Sequence, residues 1–132
     1  MQLPSQWQSI MGLQFENLVL SNRKTLHKLL DIDPSDIVNA NPFFQRKTKD
    51  QSGCQIDYMI QNKFGTCYLC EIKFSSHKIT AHVIDEIKQK IACLNLPRQI
   101  SLRPVLIHVN GVDRQVQTSD FFSYIIDFND LL

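Results

Sequence analysis

The chain has 132 residues, 43% of them hydrophobic and 20% charged, with a formal net charge of +1. A chain of that length buries a hydrophobic core without a disulfide or metal staple, and its ordinary composition excludes a disordered tail, a collagen-like repeat and a coiled coil. No apolar run approaches the roughly 18 residues that span a bilayer, and the start MQLPSQWQSI lacks the basic and then apolar stretch of a signal peptide, so the expectation is one soluble, cytoplasmic domain over residues 1–132.

Pro4-Ser5 opens a helix, because proline suits a first helical turn. Trp7, Ile10, Met11, Gln14, Phe15, Leu18 and Val19 recur at helical spacing and predict a helix from about Ser5 to Leu20. A second helical stretch runs from Thr25 to Leu30 and stops before Asp33-Pro34, since the residue preceding a proline avoids the helical region. Ile37 to Lys47 reads as a strand bent at Pro42, hence near a sheet edge. Cys54 to Gln61 and Thr66 to Phe74 are strands joined by Asn62-Lys63-Phe64-Gly65, a hairpin signal. Ile79 to Leu94 is helical, with Ile79, Val83, Ile84, Ile87, Ile91 and Leu94 on one face. Pro104 to Val109 is a short apolar strand of the fully buried kind, and Tyr124 to Phe128 is the last strand, preceded by one helical turn capped at Ser119-Asp120. Helices and strands alternate in the order α, β, β, β, α, β, β, which predicts an α/β fold with a mixed sheet flanked by helices.

The chain carries Cys54, Cys67, Cys70 and Cys93. Cys67 and Cys70 form a CxxC inside a predicted strand, where residues three apart point to opposite faces. They cannot grip one zinc together, and no second pair completes a site. These cysteines are expected to be small core residues. The four histidines show no HExxH or triad spacing. His77, in the loop after the second hairpin strand, is either plain loop or grazes a substrate.

The hairpin carries the chemistry. If Asn62 faces Thr66, paired residue numbers sum to 128 and Asp57 stands opposite Glu71. Facing residues share a side of the sheet with Cβ atoms about 4.5–5.5 Å apart, and Lys73, two residues on, shares it too. The opposite side then carries Ile56, Tyr58, Ile60, Tyr68, Ile72 and Phe74 as a core face. Facing carboxylates repel and raise each other's pKa. Lys73 relieves that repulsion, or a divalent cation does; hard oxygen ligands suit Mg²⁺. A surface ion-pair ladder satisfies the same spacing.

At these residues the chain resembles a known family. Ile56-Asp57, thirteen further residues and then Glu71-Ile72-Lys73 resemble the motif of the PD-(D/E)XK nuclease superfamily, with Ile56 where a proline usually stands. The helix segment Gly12 to Leu18 with its Phe15-Glu16, Gly53 to Ile60, Leu69 to Ser75, and Ile79 to Ile91 are similar, in that order, to the branch fused behind AAA-type P-loop ATPases in prokaryotes. The resemblance implies a restriction-endonuclease-like fold and a Mg²⁺ (or Mn²⁺) cofactor. It implies that Asp57 and Glu71 bind the metal, with the backbone carbonyl of Ile72 as a further ligand. Lys73 would handle the water or the scissile phosphate, and Glu16 would reach over the sheet as an auxiliary acid or a ligand to a metal-bound water. Lys88, Gln89 and Lys90 would touch backbone phosphate. A solvated helix surface accounts equally for those three, and a helix-surface carboxylate for Glu16.

Two functions follow. One is a metal-dependent phosphodiester hydrolase acting on DNA as an endonuclease. The other is a non-catalytic docking module of the same fold, for nucleic acid or protein, partnering a P-loop ATPase. The chain has no GxxxxGK[ST] of its own. A docking module has no chemical need for facing carboxylates, which favours the enzyme.

Overall fold

The computed structural model describes residues 5–132; Pro4, expected to open the first helix, lies outside the described residues. Helices α1 (Ser5–Ser21) and α2 (Arg23–Leu29) come first. They are followed by β1 (Ile37–Gln45), β2 (Cys54–Asn62), β3 (Thr66–Lys73), α3 (His82–Cys93), β4 (Ser101–His108), α4 (Arg114–Thr118) and β5 (Tyr124–Asp127). The strands form one mixed sheet in the order β1-β2-β3-β4-β5. The first three are antiparallel neighbours, and β3-β4 and β4-β5 are parallel. This is the α/β architecture expected from the order of elements. Among the described residues no helix is long and apolar enough to cross a membrane.

The β2–β3 turn fixes the register. Asn62 Oδ1 accepts the N–H groups of Phe64 at 3.0 Å and Thr66 at 2.9 Å, and Gly65 supplies the positive φ (81°) that closes the loop. Tyr58 then pairs with Cys70, Met59 with Leu69, Ile60 with Tyr68 and Gln61 with Cys67. That is the register the turn implies.

One expectation about the faces fails, and β1 explains it. Asn41 pairs with Met59, but Phe43 pairs with Ile56. Three steps on β2 match two on β1, so β2 bulges beside Pro42, which has no N–H to donate. A bulge breaks the alternation of side chains. Ile56 therefore leaves the face of Tyr58 and Ile60. It joins Cys54, Leu69, Leu106, Val83 and Ile87 under α3, while Tyr58, Ile60, Tyr68 and Ile72 pack with Phe15, Val19 and Leu26 of α1 and α2. The sheet separates two cores. β4 serves both: Val105 and Ile107 enter one and Leu106 the other, so the strand reads as a continuous apolar run.

Other boundaries differ locally. In α1 only Phe15 and Val19 are buried, while Trp7, Ile10 and Leu18 of the predicted stripe are exposed. α3 begins at His82, because Ile79 is spent on a bridge to Val112. The short helix lies at Arg114–Thr118, before Ser119 and not after it; Asp113 caps it by accepting the Val116 N–H at 3.0 Å.

Candidate active site

Glu71 sits in the middle of β3, where Cys67 to Ile72 are all buried, and its side chain is 1% exposed. A carboxylate there is costly unless paired. Lys90, on α3, provides the pair: its Nζ donates to both carboxylate oxygens at 3.0 Å. Burial, and then the charge of Asp57, nevertheless push Glu71 up to about 7, against the opposing pull of Lys90 and Lys73.

Asp57 stands where the β2–β3 ladder ends. Tyr58–Cys70 is the last backbone pair, and the next amide, Ile72 N–H, donates at 2.8 Å to Asp57 Oδ2. A side chain thus takes over from the backbone at the bulged strand. From this seam Asp57 meets Glu16 of α1, with which it shares a side-chain hydrogen bond, and its charge reaches Glu71 on β3. Burial first, and then the charge of Asp57 and that hydrogen bond, raise the Glu16 carboxyl; Lys90 and Lys73 oppose them.

Lys73, two residues past Glu71, pairs with Glu86 of α3 at 3.0 Å. Burial lowers its ammonium, but the hydrogen bond and charge of Glu86, joined by Glu71 and Asp57, outweigh burial and raise it. Two ion pairs, Glu71–Lys90 and Lys73–Glu86, therefore run as parallel rungs between β3 and α3. The spacings match: residues two apart on a strand and four apart on a helix each repeat at roughly 6–7 Å. A charge ladder does exist, but it runs from strand to helix and not across the hairpin.

Beside these groups opens a cleft of about 510 Å³ between β2 and α3, lined by Gly53, Cys54, Gln55, Asp57, Glu86, Gln89, Lys90 and Cys93. Of the three residues expected to touch phosphate, Gln89 and Lys90 line this cleft. Lys88 turns elsewhere, its Nζ 5.7 Å from the centre of the Phe121 ring. His77 lies in the loop after β3, its N–H donating to Ser75 Oγ at 3.1 Å.

Among the described residues no three His, Cys, Asp or Glu side chains gather closely enough to hold a metal ion by themselves. The donor set still fits a hard cation. Mg²⁺ uses one or two carboxylates and keeps several waters. Asp57 and Glu71 supply two, one of them held against its ordinary charge state, beside an open cleft.

Sequence reasoning missed Glu86 and the pairing of Lys90 with Glu71. Part of the signal was present: Glu86 and Lys90 are four apart on a helix, hence one above the other, acid before base as in Glu71 and Lys73, so a helix running against the strand brings unlike charges together.

The buried cysteines fit their expected structural role. Cys67 and Cys70 are free and buried, and burial pushes the Cys67 thiol up to about 11.

No family model matches the chain, and no curated protein matches it. Solved structures do. The chain is similar to a repair endonuclease from Pyrococcus abyssi, at a TM-score of 0.51 and 15% identity, over 96% of this chain and 47% of that one. It also resembles the EndoMS-dsDNA2 complex, at a TM-score of 0.44 and 14% identity, over 80% of this chain and 43% of that one. The chain spans about half the length of these proteins. The first likeness is one of fold: a mixed sheet with flanking helices, of a kind found in a repair endonuclease.

Proposed function

We propose that the protein is a metal-dependent phosphodiester hydrolase that cuts DNA, its nuclease-like domain filling residues 1–132. The observation that carries this reading is the position of Asp57: it lines an open cleft, and its charge raises both Glu16 on α1 and Glu71 on β3. Acids displaced from their ordinary range beside a cleft mark a candidate functional site. The fold likeness to a repair endonuclease supports the same reading.

Asp57 and Glu71 would hold Mg²⁺ or Mn²⁺, with the Ile72 carbonyl beside them; the cation supplies charge stabilisation on the phosphate oxygens. The remaining work falls to the chain. Lys73 releases Glu86 and places its ammonium against the attacking water or a phosphate oxygen. Glu16 stands beside Asp57 and orients that carboxylate. Lys90 orients Glu71 through both of its carboxylate oxygens. With a net charge of +1, phosphate affinity is modest and salt-sensitive.

The test is calorimetry with Mn²⁺ and a nicking assay on supercoiled DNA. Wild type binds the ion and nicks; Asp57→Asn and Glu71→Gln lose both. Wild-type protein that binds no ion in either metal would sink the reading.

The docking module stays as the second reading, because one observation favours it: both lysines of the site are already paired, Lys90 with Glu71 and Lys73 with Glu86. The P-loop ATPase partner and the cytoplasmic setting rest on the sequence alone.

A further inference from the structure

A second cavity, of about 450 Å³, opens at the carboxyl ends of β4 and β5, lined in part by His108, Gly111, Gln117, Ile125, Asp127 and Asp130. Its walls follow from the parallel register. Leu106 pairs with Ile125, and both pack on the α3 side of the sheet. His108 and Asp127 pair two residues further on, so they stand side by side on that same face. The short helix α4 brings Gln117, and the turn after β5 brings Asp130.

The polar groups of this cavity lack partners. His108 is 6% exposed, and its Nδ1 is buried with no hydrogen bond. Asp127 Oδ1 accepts the backbone N–H and the side-chain amide of Asn129, each at 3.0 Å, while its Oδ2 accepts no hydrogen bond among the described residues. The ion pairs of the described residues are Lys63–Asp36, Lys73–Glu86 and Lys90–Glu71, so no cation neutralises Asp127 or Asp130. Lys73 stands beside His108 in the β3–β4 register, but Glu86 draws its ammonium to α3. Burial holds His108 below its ordinary value, so the ring is neutral at pH 7 and cancels neither charge.

We propose that this cavity binds a guanidinium group on an aliphatic stem, the chemistry of an arginine side chain. The lining offers two carboxylates, a carboxamide oxygen and a neutral imidazole. A guanidinium is a fork of N–H donors with no acceptor. It meets a carboxylate through paired bonds in one plane, and it gives up its water more readily than an ammonium does. Ile125 supplies an apolar wall for the stem. Other ligands fit less well. Two uncompensated carboxylates repel a phosphate, and the described residues give a metal ion no cluster of three side-chain ligands. The guanidinium comes from a protein segment or from free arginine, and the chemistry of the site is the same for both.

The experiment is an amide NMR titration of the ¹⁵N-labelled protein at low salt with a blocked Gly-Arg-Gly peptide, its lysine counterpart and free arginine. The arginine peptide shifts the amides of Gly111, Gln117 and Asp127 and the ring nitrogens of His108, and the shifts saturate. Asp127→Asn weakens binding by about tenfold, the low end for a hydrogen bond to a charged group. It keeps the wild-type melting temperature, because asparagine also caps the turn that follows. Asp130→Asn, at the exposed rim, weakens binding by about 2- to 5-fold. Free arginine carries a carboxylate that the aspartates repel. If it still binds more tightly than the peptide, the occupant is the free amino acid; if it does not, the occupant is an arginine of a protein segment. Either result upholds the site. No saturable shift with either arginine probe would overturn it, and so would an undiminished affinity in Asp127→Asn. A lysine peptide that binds as tightly as the arginine peptide would overturn the guanidinium assignment. None of these results touches the nuclease reading, whose cleft is lined by other residues.

Discussion

Lys90 Nζ lies 3.0 Å from each carboxylate oxygen of Glu71, the most deeply buried charged side chain of the sheet. The pair neutralises a carboxylate buried in the sheet. The lysine that resemblance assigns to the substrate belongs, at rest, to an acid assigned to the cation. Whatever occupies the cleft must compete with, or share, that contact.

Removing Lys90 therefore tests the structure before any chemistry. Breaking a buried pair by deleting one partner leaves the other charge uncompensated. Because Lys90 is about a third exposed, we expect Lys90→Met to cost about 2 kcal/mol, below the roughly 3–5 kcal/mol of a fully buried pair. Lys90→Met with Glu71→Leu regains most of it. Urea denaturation of the two variants without metal measures the difference; equal loss in both would show that packing, and not the unpaired charge, sets the cost.

Lys73 gives a chemical test. Its partner Glu86 is 56% exposed, and exposed pairs are worth about 0–1 kcal/mol. Lys73→Ala should leave the melting temperature nearly unchanged and lower nicking by about 10²- to 10⁴-fold, the range of a positioned acid–base group. Undiminished cutting in Lys73→Ala would assign the activity elsewhere.

The thiols separate by burial. Cys93 is exposed, while Cys54, Cys67 and Cys70 are buried. Burial raises Cys67 to about 11 and Cys70 further still. Iodoacetamide on the native protein should mark Cys93 first and reach Cys67 and Cys70 only in denaturant, as read by mass spectrometry. Cys70→Ser should cost about 1–2 kcal/mol through a poorly bonded hydroxyl, with no change in metal content.

Two histidines set an acid limit. Burial, and then Arg23, lower His27, whose Nε2 lies 2.8 Å from Tyr58 Oη. Burial lowers His108 against the pull of Asp127 and Asp130, and its Nδ1 is buried without a partner. A lowered folded value means the unfolded chain binds the proton more readily. The stability these groups contribute is present above the unfolded value of 6.5 and lost as pH falls through the lowered folded values. Glu16 and Glu71 are raised from 4.5 and slope the other way, so the comparison must be with a variant. Wild type should lose more stability between pH 7 and pH 5 than His27→Gln, with urea midpoints as the measure; parallel curves would contradict it.

The register of the hairpin as far as Tyr58–Cys70 was legible because an Asn-x-x-Gly turn fixes pairing locally; the backbone pair expected between Asp57 and Glu71 does not form, because the ladder stops one residue before it. The helix α3 was legible from its stripe of isoleucines. Ile56 was not. Its face depends on a bulge written in another strand, at Pro42, and strand alternation carries no sign of a partner's irregularity. α4 was hidden for a different reason: its cap, Asp113, follows Asn110-Gly111, which reads as the close of a strand. Glu86 was missed because its role needs the sheet and α3 placed face to face, a contact between elements that neither sequence segment contains.

The handover at the end of the β2–β3 ladder, where the amide of Ile72 donates to Asp57 Oδ2, makes one backbone proton a reporter. Its resonance in an amide NMR spectrum follows the electron density on that oxygen, and its exchange with deuterium follows how firmly the oxygen holds it. An ion drawing on Asp57, or a proton arriving there, moves a peak that no other part of the sheet shares. The condition of the site is thus written into the backbone, readable with neither substrate nor turnover.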